Sequence, residues 1–326
     1  MALFFRKRKT QSTNDDELWK THSNVSRETG SLPRRATSDP GATVESEYGD
    51  EYVDLAAPSS ALPRPASPRI VVVANQKGGV GKTTTTVNLA HALALGGLNV
   101  LVVDNDPQGN ASTALGVAHT PGTKGTYEVL LEGVGIIEHA QPSPHSPNLH
   151  VLPAAIDLAA AELELVNMRG REHRMRDAIQ QYVEESGVDY IFFDCPPSLG
   201  LLTLNALVAA NEILVPIQTE YYALEGVTQL MRTIQRVKGN LNDDLELSTI
   251  LLTMYDSRTN LSREVADEVR KHFPQQTLTQ EIPRSVRIAE APSFQQTVLT
   301  YQPRSPGAVA YFAAAKEMAE RAKVSE

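Results

Sequence analysis

Eight consecutive residues, Lys77-Gly78-Gly79-Val80-Gly81-Lys82-Thr83-Thr84, have the side chains and spacing to hold a triphosphate. Glycines let successive backbone N–H groups converge on one anion, because no Cβ blocks the approach. A helix beginning at the end of the loop adds its partial positive charge. Lys82 then reaches the β- and γ-phosphates, and the Thr83 hydroxyl ligates Mg²⁺. Lys77 sits at the wrong end of the loop to duplicate Lys82. A cation there projects out of its own site, toward phosphates bound by a second subunit.

Two acidic segments suit the same chemistry. Asp104-Asn105-Asp106-Pro107-Gln108-Gly109-Asn110 follows an apolar run ending at Val103. Carboxylates at the carboxyl end of a strand beside a phosphate loop are placed to act on Mg²⁺ or on an attacking water. Tyr190-Ile191-Phe192-Phe193-Asp194 is a second apolar run ending in a carboxylate, suited to hold a magnesium-bound water. Cys195 follows it. Nothing nearby in sequence lowers its pKa, so it reads as inert.

These residues need a scaffold of strands and helices in alternation. Strands are expected at Ile70–Ala74, Val100–Asp104, Leu149–Leu152, Tyr190–Asp194, Ile213–Ile217, Leu247–Met254 and, more weakly patterned, Thr277–Glu281. Several are unbroken apolar runs, as expected of strands buried on both faces of a parallel sheet. Helices are expected at Thr84–Leu95, Leu158–Val166, Glu172–Ser186, Leu201–Ala209, Glu225–Lys238, Ser262–His272 and Gly307–Ala322. The order predicts one doubly wound α/β domain over residues 69–326, with a mostly parallel sheet, helices on both faces and ligands at the carboxyl ends of the strands.

Residues 1–68 read as a disordered tail rich in Ser, Pro and charge. The tail holds an apolar-basic start, Leu3–Lys9, and an acidic stretch, Glu45–Asp54. A solvated start and a solubilising linker are the plainer readings of the two. The apolar block of the start is too short for a secretory signal, and the basic residues follow it. One cysteine excludes an intrachain disulfide and fits a reducing cytoplasm. Net charge is −9, and 29 acidic against 21 basic residues lie from Arg69 onward. An acidic body argues against a generic basic nucleic-acid-binding domain, so any such binding needs a local patch and is salt-sensitive.

The loop resembles the deviant Walker A sequence, KGGxGK[ST], of the ParA/MinD class of P-loop ATPases. Asp104–Asn110 resembles that class's switch I, DxDPQGN, and Asp194–Ser198 its switch II, DxPPS. Three later segments, Pro216–Gly226, Leu251–Asn260 and Ile282–Ser293, are similar to the chromosomal ParA (Soj) branch, so the resemblance spans nearly everything from Arg69 on. It implies an ATPase that takes ATP and Mg²⁺. Lys77, Lys82 and Asp106 are then the catalytic residues, with Asp106 positioning the hydrolytic water. Gly78, Gly79, Val80, Gly81, Lys82, Thr83, Thr84 and Pro283 bind nucleotide, Pro283 near the adenine. Thr83, Asp104 and Asp194 serve the metal.

The resemblance further implies an ATP-bound homodimer that binds double-stranded DNA without reading bases, through Arg258, Arg284 and Arg287. A ParB-like centromere-binding protein would stimulate slow hydrolysis, the location would be cytoplasmic and nucleoid-associated, and the tail could recruit a polar scaffold. On residue types alone, three arginines near loops suit surface ion pairs as well as DNA phosphates. A MinD-like membrane-positioning ATPase is the alternative. That class ends in a basic amphipathic helix on lipid, whereas the final helix here is alanine-rich and mixed in charge, so a membrane partner is not expected. An iron–sulfur reductase needs two cysteines per subunit, and a bacterial tyrosine kinase needs a tyrosine-rich C-terminal tail; neither is present.

Overall fold

The structure, a computed structural model, describes residues 61–221 and 223–322. Leu3–Lys9 and Glu45–Asp54 lie outside them. The first half of the chain runs β1 (Arg69–Val73), α1 (Lys82–Leu95), β2 (Val100–Asp104), α2 (Asn110–Ala114), α3 (Thr126–Leu131), β3 (Gln141–Pro142), β4 (Leu149–Leu152) and α4 (Leu158–Leu165). It continues with α5 (Arg174–Ser186), β5 (Tyr190–Asp194), α6 (Leu201–Ala209), β6 (Glu212–Gln218), α7 (Ala223–Lys238), β7 (Glu246–Thr253) and α8 (Asn260–His272). Three helices complete it: α9 (Val286–Glu290), α10 (Val298–Tyr301) and α11 (Pro306–Arg321).

Seven strands form one sheet in the order β3-β4-β2-β5-β1-β6-β7. All pairs are parallel except the short edge pair β3–β4. The doubly wound α/β expectation therefore holds. Every residue of β2 and β5 is buried, which is why these strands read as continuous apolar runs rather than alternating ones. Alternation survives in which layer each side chain enters. Val72, Leu101, Val103, Ile191, Phe193 and Val215 pack with α4 to α8. Val71, Val73, Val102, Tyr190, Phe192 and Leu251 pack with α1 and α11.

Helix α1 is sandwiched between the sheet and α11 and buries eleven of its fourteen residues. Its four consecutive threonines are poor helix formers, so burial rather than propensity holds this helix. Helix α11 begins at a Ser305 cap, whose side chain accepts from the Ala308 N–H at 3.3 Å, with Pro306 in its first turn. It places Tyr311, Phe312 and Met318 in the core.

Two expectations need correction. Residues 277–281 are not a strand. The segment touches β7 through the bridges Ile250↔Thr277 and Tyr255↔Pro283. Between them the N–H groups of Thr279 and Gln280 donate to the Glu317 carboxylate of α11, at 2.8 and 3.1 Å, so the ladder is interrupted. Residues 61–68 are tied to the body rather than free of it. Leu62 is buried, its N–H bonds the Gly96 carbonyl at 2.9 Å, and Arg64 pairs with Asp189 at 2.9 Å. A single leucine among prolines has no periodicity to betray its burial.

Candidate functional site

Strand register assembles the site. Val73 of β1 lies opposite Asp194 of β5, and Asp194 lies opposite Asp104 of β2. Both aspartates and the loop leaving β1 therefore meet at the carboxyl ends of three adjacent strands. This is where an open α/β sheet binds ligands.

The loop is held open by its neighbours. Val80 is buried, and its carbonyl accepts from Thr253 Oγ1 at the end of β7, at 2.9 Å. The Lys77 N–H donates to Asn75 Oδ1 at 3.0 Å, and Asn75 Nδ2 donates to the Pro216 carbonyl at 2.9 Å. Gly79 has φ +76° and Gly81 φ +90°, a region glycine enters without steric cost. No atom comes within 4 Å of where a Cβ would stand on Gly78 or Gly79. Gly78 and Gly79 thus border open space, which leaves their backbone accessible, as an anion cradle requires. Helix α1 starts at Lys82, whose side chain is buried. Desolvation lowers the Lys82 pKa, and the charges of Asp194 and Asp106 work against that shift. Thr84 lies in the first turn, where its carbonyl accepts from Asn88.

Thr83 Oγ1 donates to Asp194 Oδ2 at 2.7 Å, and Thr86 Oγ1 to Asp194 Oδ1 at 3.3 Å. Asp104 accepts from the backbone N–H and hydroxyl of Ser112 at 2.8 and 2.7 Å, and from the Asp106 N–H at 3.3 Å. Asp104 and Asp194 are fully buried. Burial raises both carboxyl pKa values, and the Asp104 charge pushes Asp194 up further. Two buried carboxylates side by side are costly unless a cation joins them. Asp194 and the Thr83 hydroxyl are oxygen donors of the hard type that suits Mg²⁺, with Asp104 on the neighbouring strand. Asp106 stands half-buried at the mouth, in a turn closed by the Gly109 N–H on its carbonyl at 2.9 Å. Burial pushes the Cys195 thiol well up, in keeping with an inert cysteine.

The remaining expected residues lie on the rim. Lys77 Nζ pairs with Glu220 Oε2 at 2.9 Å, and both side chains are well exposed. Pro283 pairs with Tyr255, and the Arg284 N–H donates to the Tyr255 carbonyl at 3.0 Å. Arg258 forks onto Asp256 at 2.9 and 2.8 Å, and this pairing holds the Asp256 carboxyl at about 2, with a smaller effect from Arg284. Arg258 and Arg284 thus share one neighbourhood beyond β7. Arg287 stands apart on α9 and pairs with Glu290 at 3.0 Å. Ion pairing thus occupies two of the three arginines in this structure.

Sequence reasoning did not single out Thr86, Ser112, Glu220, Asn75 or Thr253. Thr86 lies three residues beyond Thr83 on one helix, hence on the same face. That spacing could have suggested it. Glu220 lies two residues beyond the apolar strand β6, a carboxylate just past a strand's carboxyl end. Ser112, Asn75 and Thr253 act through tertiary placement that no local pattern encodes.

A bare glycine cradle ending in a buried lysine, with a threonine hydroxyl on a strand-end aspartate, defines a P-loop nucleotide-binding protein. A family profile described as an AAA domain matches residues 68–247. The chromosome partitioning protein ParA of Caulobacter vibrioides is 47% identical over 253 residues, covering 78% of this chain and 94% of that protein. Sporulation initiation inhibitor protein Soj of Bacillus subtilis is 47% identical over 251 residues, covering 77% and 98%. The crystal structure of cobyrinic acid a,c-diamide synthase from Mycobacterium smegmatis with bound ATP analog and magnesium superposes with a TM-score of 0.68 at 38% identity, covering 79% of this chain and 97% of that one. The chain belongs to the ParA/Soj family of chromosome-partitioning P-loop ATPases.

Proposed function

We propose that this chain is a DNA-segregation ATPase whose ATP-bound form is a sandwich dimer. ATP binds with its phosphates in the loop 77–84, and Lys82 neutralises the β- and γ-phosphates. Thr83, Asp194 and Asp104 would hold Mg²⁺, which would supply positive charge to the phosphate oxygens. Asp106 orients a water in line with the γ-phosphorus. The water oxygen bonds to phosphorus as the bond to the bridging β–γ oxygen breaks, giving ADP and inorganic phosphate. The observation that carries this reading is the 2.7 Å bond from Thr83 to Asp194, across strands whose register also delivers Asp104.

Lys77 is tied to Glu220 at the rim, in an exposed ion pair of about 0–1 kcal/mol. Such a tie exchanges readily for a triphosphate held by a second subunit. Closure of two subunits then aligns Arg258, Arg284 and Arg287 on DNA phosphates, giving sequence-independent, salt-sensitive binding. Arg258 and Arg287 are themselves exposed and their carboxylate partners partly so, so the exchange is cheap. A ParB-like protein would accelerate hydrolysis, and loss of the γ-phosphate contacts would release the dimer and its DNA. The body, residues 69–326, does this work on the nucleoid, and the preceding residues are available for a polar scaffold. The apolar face of α11 is already used in the core, which disfavours the lipid-bound helix of the MinD-like alternative. Among the described residues no helix is long and apolar enough to cross a membrane.

Size-exclusion chromatography with ATP, ADP or no nucleotide, each with and without nonspecific DNA, tests the reading. The expected result is a dimer with ATP alone and DNA co-elution only then. A monomer at saturating non-hydrolysable ATP analogue overturns it.

A further inference from the structure

Two unlike surfaces flank the turn Pro196–Gly200 at the carboxyl end of β5. On one side lies α4. It buries Leu158, Ala161 and Leu165, yet its outer side exposes Leu163 and Val166, with Ile156 just ahead of the helix. Leu163 is 77% exposed. The spacing 156, 159, 163, 166 puts Ile156, Ala159, Leu163 and Val166 in one stripe. A second apolar stripe on a helix whose first is already in the core points to a further contact. Every charged residue from 156 to 168 is acidic: Asp157, Glu162 and Glu164. Glu162 rests against Gly200, and one of its carboxylate oxygens is buried with no hydrogen-bond donor.

On the other side is a groove of about 800 Å³ between the phosphate loop and α7, lined by Gln76, Pro197, Leu199, Arg232, Thr233 and Arg236. Arg232 and Arg236 are exposed and one helical turn apart. Among the described residues neither guanidinium is in an ion pair. Leu199, at the groove's edge, is itself exposed.

We propose that both surfaces are covered by a second copy of this chain: the acidic, apolar α4 of one protomer seats in the basic groove of its partner, twice across the two-fold axis. The proposal rests on the sandwich reading above and supplies the contact that reading lacks. Two phosphate loops facing each other across nucleotide are polar and small in area. A stable dimer buries about 800 Å² per partner with an apolar centre. The stripe on α4 is apolar, and its three acids match two arginines that form no ion pair among the described residues. Both surfaces adjoin the turn Pro196–Gly200 beside the phosphate loop, on the face where the sandwich closes. Under two-fold symmetry a surface beside the axis meets the surface on the axis's other side, so unlike neighbours in one protomer become partners between two. Leu199 then lies at the centre of the contact, so dimer closure bears directly on the turn that follows Asp194.

Charge reversal tests this in the full chain. Three variants are compared with the wild type by sedimentation velocity with a non-hydrolysable ATP analogue: Arg232→Glu/Arg236→Glu, Glu162→Lys/Glu164→Lys, and the four changes together. Each double reversal is expected to raise the dimer dissociation constant about tenfold or more, and the fourfold swap to recover most of that loss. Leu163→Lys, at a solvent-exposed position, should weaken the dimer without unfolding the chain. Unchanged ADP affinity in each variant reports an intact fold. A wild-type chain that stays monomeric overturns the sandwich reading and this contact with it. Wild-type dimerisation that the reversals and Leu163→Lys leave intact overturns the contact alone, and so does failure of the swap to recover it.

Discussion

Replacing Asp194 by Asn should move stability and ligand response in opposite directions. Asp194 is fully buried beside Asp104, which is fully buried too, and burial raises the pKa of both. In the nucleotide-free protein the pair is therefore a liability, since carboxylates away from water and next to each other resist ionising. Asparagine keeps the shape and retains an acceptor for Thr83, 2.7 Å away in the wild type, while removing the charge. The gain is trimmed because Lys82 loses one of the two aspartates that favour its charged form. A net increase of about 1–2 kcal/mol is expected, the scale on which relieving a functional site stabilises a protein. For a domain of this size that is about 2–8 °C in Tm. The same change removes the anionic donor proposed for magnesium. In the wild type, Mg·ATP at a hundredfold over its dissociation constant adds about 2.7 kcal/mol; in the variant this increment should nearly vanish. Differential scanning fluorimetry of both proteins, with and without Mg·ATP, reads the two effects separately. A variant that melts lower than the wild type without nucleotide, or that keeps the full Mg·ATP increment, refutes the assignment of Asp194 as a strained metal carboxylate.

Asp106→Ala should retain ATP and DNA binding while hydrolysis falls to background, so that the dimer accumulates; normal phosphate release would remove Asp106 from its role. Arg287→Glu should weaken DNA retention by a similar factor on unrelated sequences and lower its salt slope, while ATP-driven dimerisation stays intact; equal loss of dimerisation would make Arg287 interfacial instead. Acid should act on His91, which is fully buried in α1, bonds Thr297 Oγ1 through Nδ1 at 2.6 Å and has no partner at Nε2. Burial, with a smaller push from His145, lowers its pKa from 6.5 to about 4, so the unfolded chain takes up the proton first. Stability present above pH 6.5 is then lost as pH falls toward 4, by up to about 3 kcal/mol. Urea titrations of wild type and His91→Leu should show a steeper decline for the wild type across that window, and parallel declines would refute it.

The sequence was most legible where one short segment specifies both a shape and a chemistry. Apolar strands ending in Asp104 and Asp194 and a glycine loop ending in Lys82 placed the site, because parallel strands must point their carboxyl ends the same way. What stayed hidden depends on partners distant in the chain. Thr279 and Gln280 look like strand residues, yet Glu317, some forty residues on, takes their N–H groups. Leu62 looks like tail, yet it packs so closely against Gly96 that a Cβ there would lie 2.4 Å from it.

The arginines show the same limit in the functional direction. Residue type and loop position suit ion pairs as well as DNA phosphates, and the structure shows Arg258 and Arg287 ion-paired. An exposed pair contributes about 0–1 kcal/mol, whereas a DNA phosphate brings counterion release, and a dimer presents each arginine twice. On the function proposed above, the carboxylates Asp256 and Glu290 would act as placeholders, pairing with the guanidiniums while the chain is alone and yielding when two copies bring several cations to one duplex. An acidic protein can in this way remain off DNA as a monomer and bind it as a dimer, with ATP closure as the one event that changes the count.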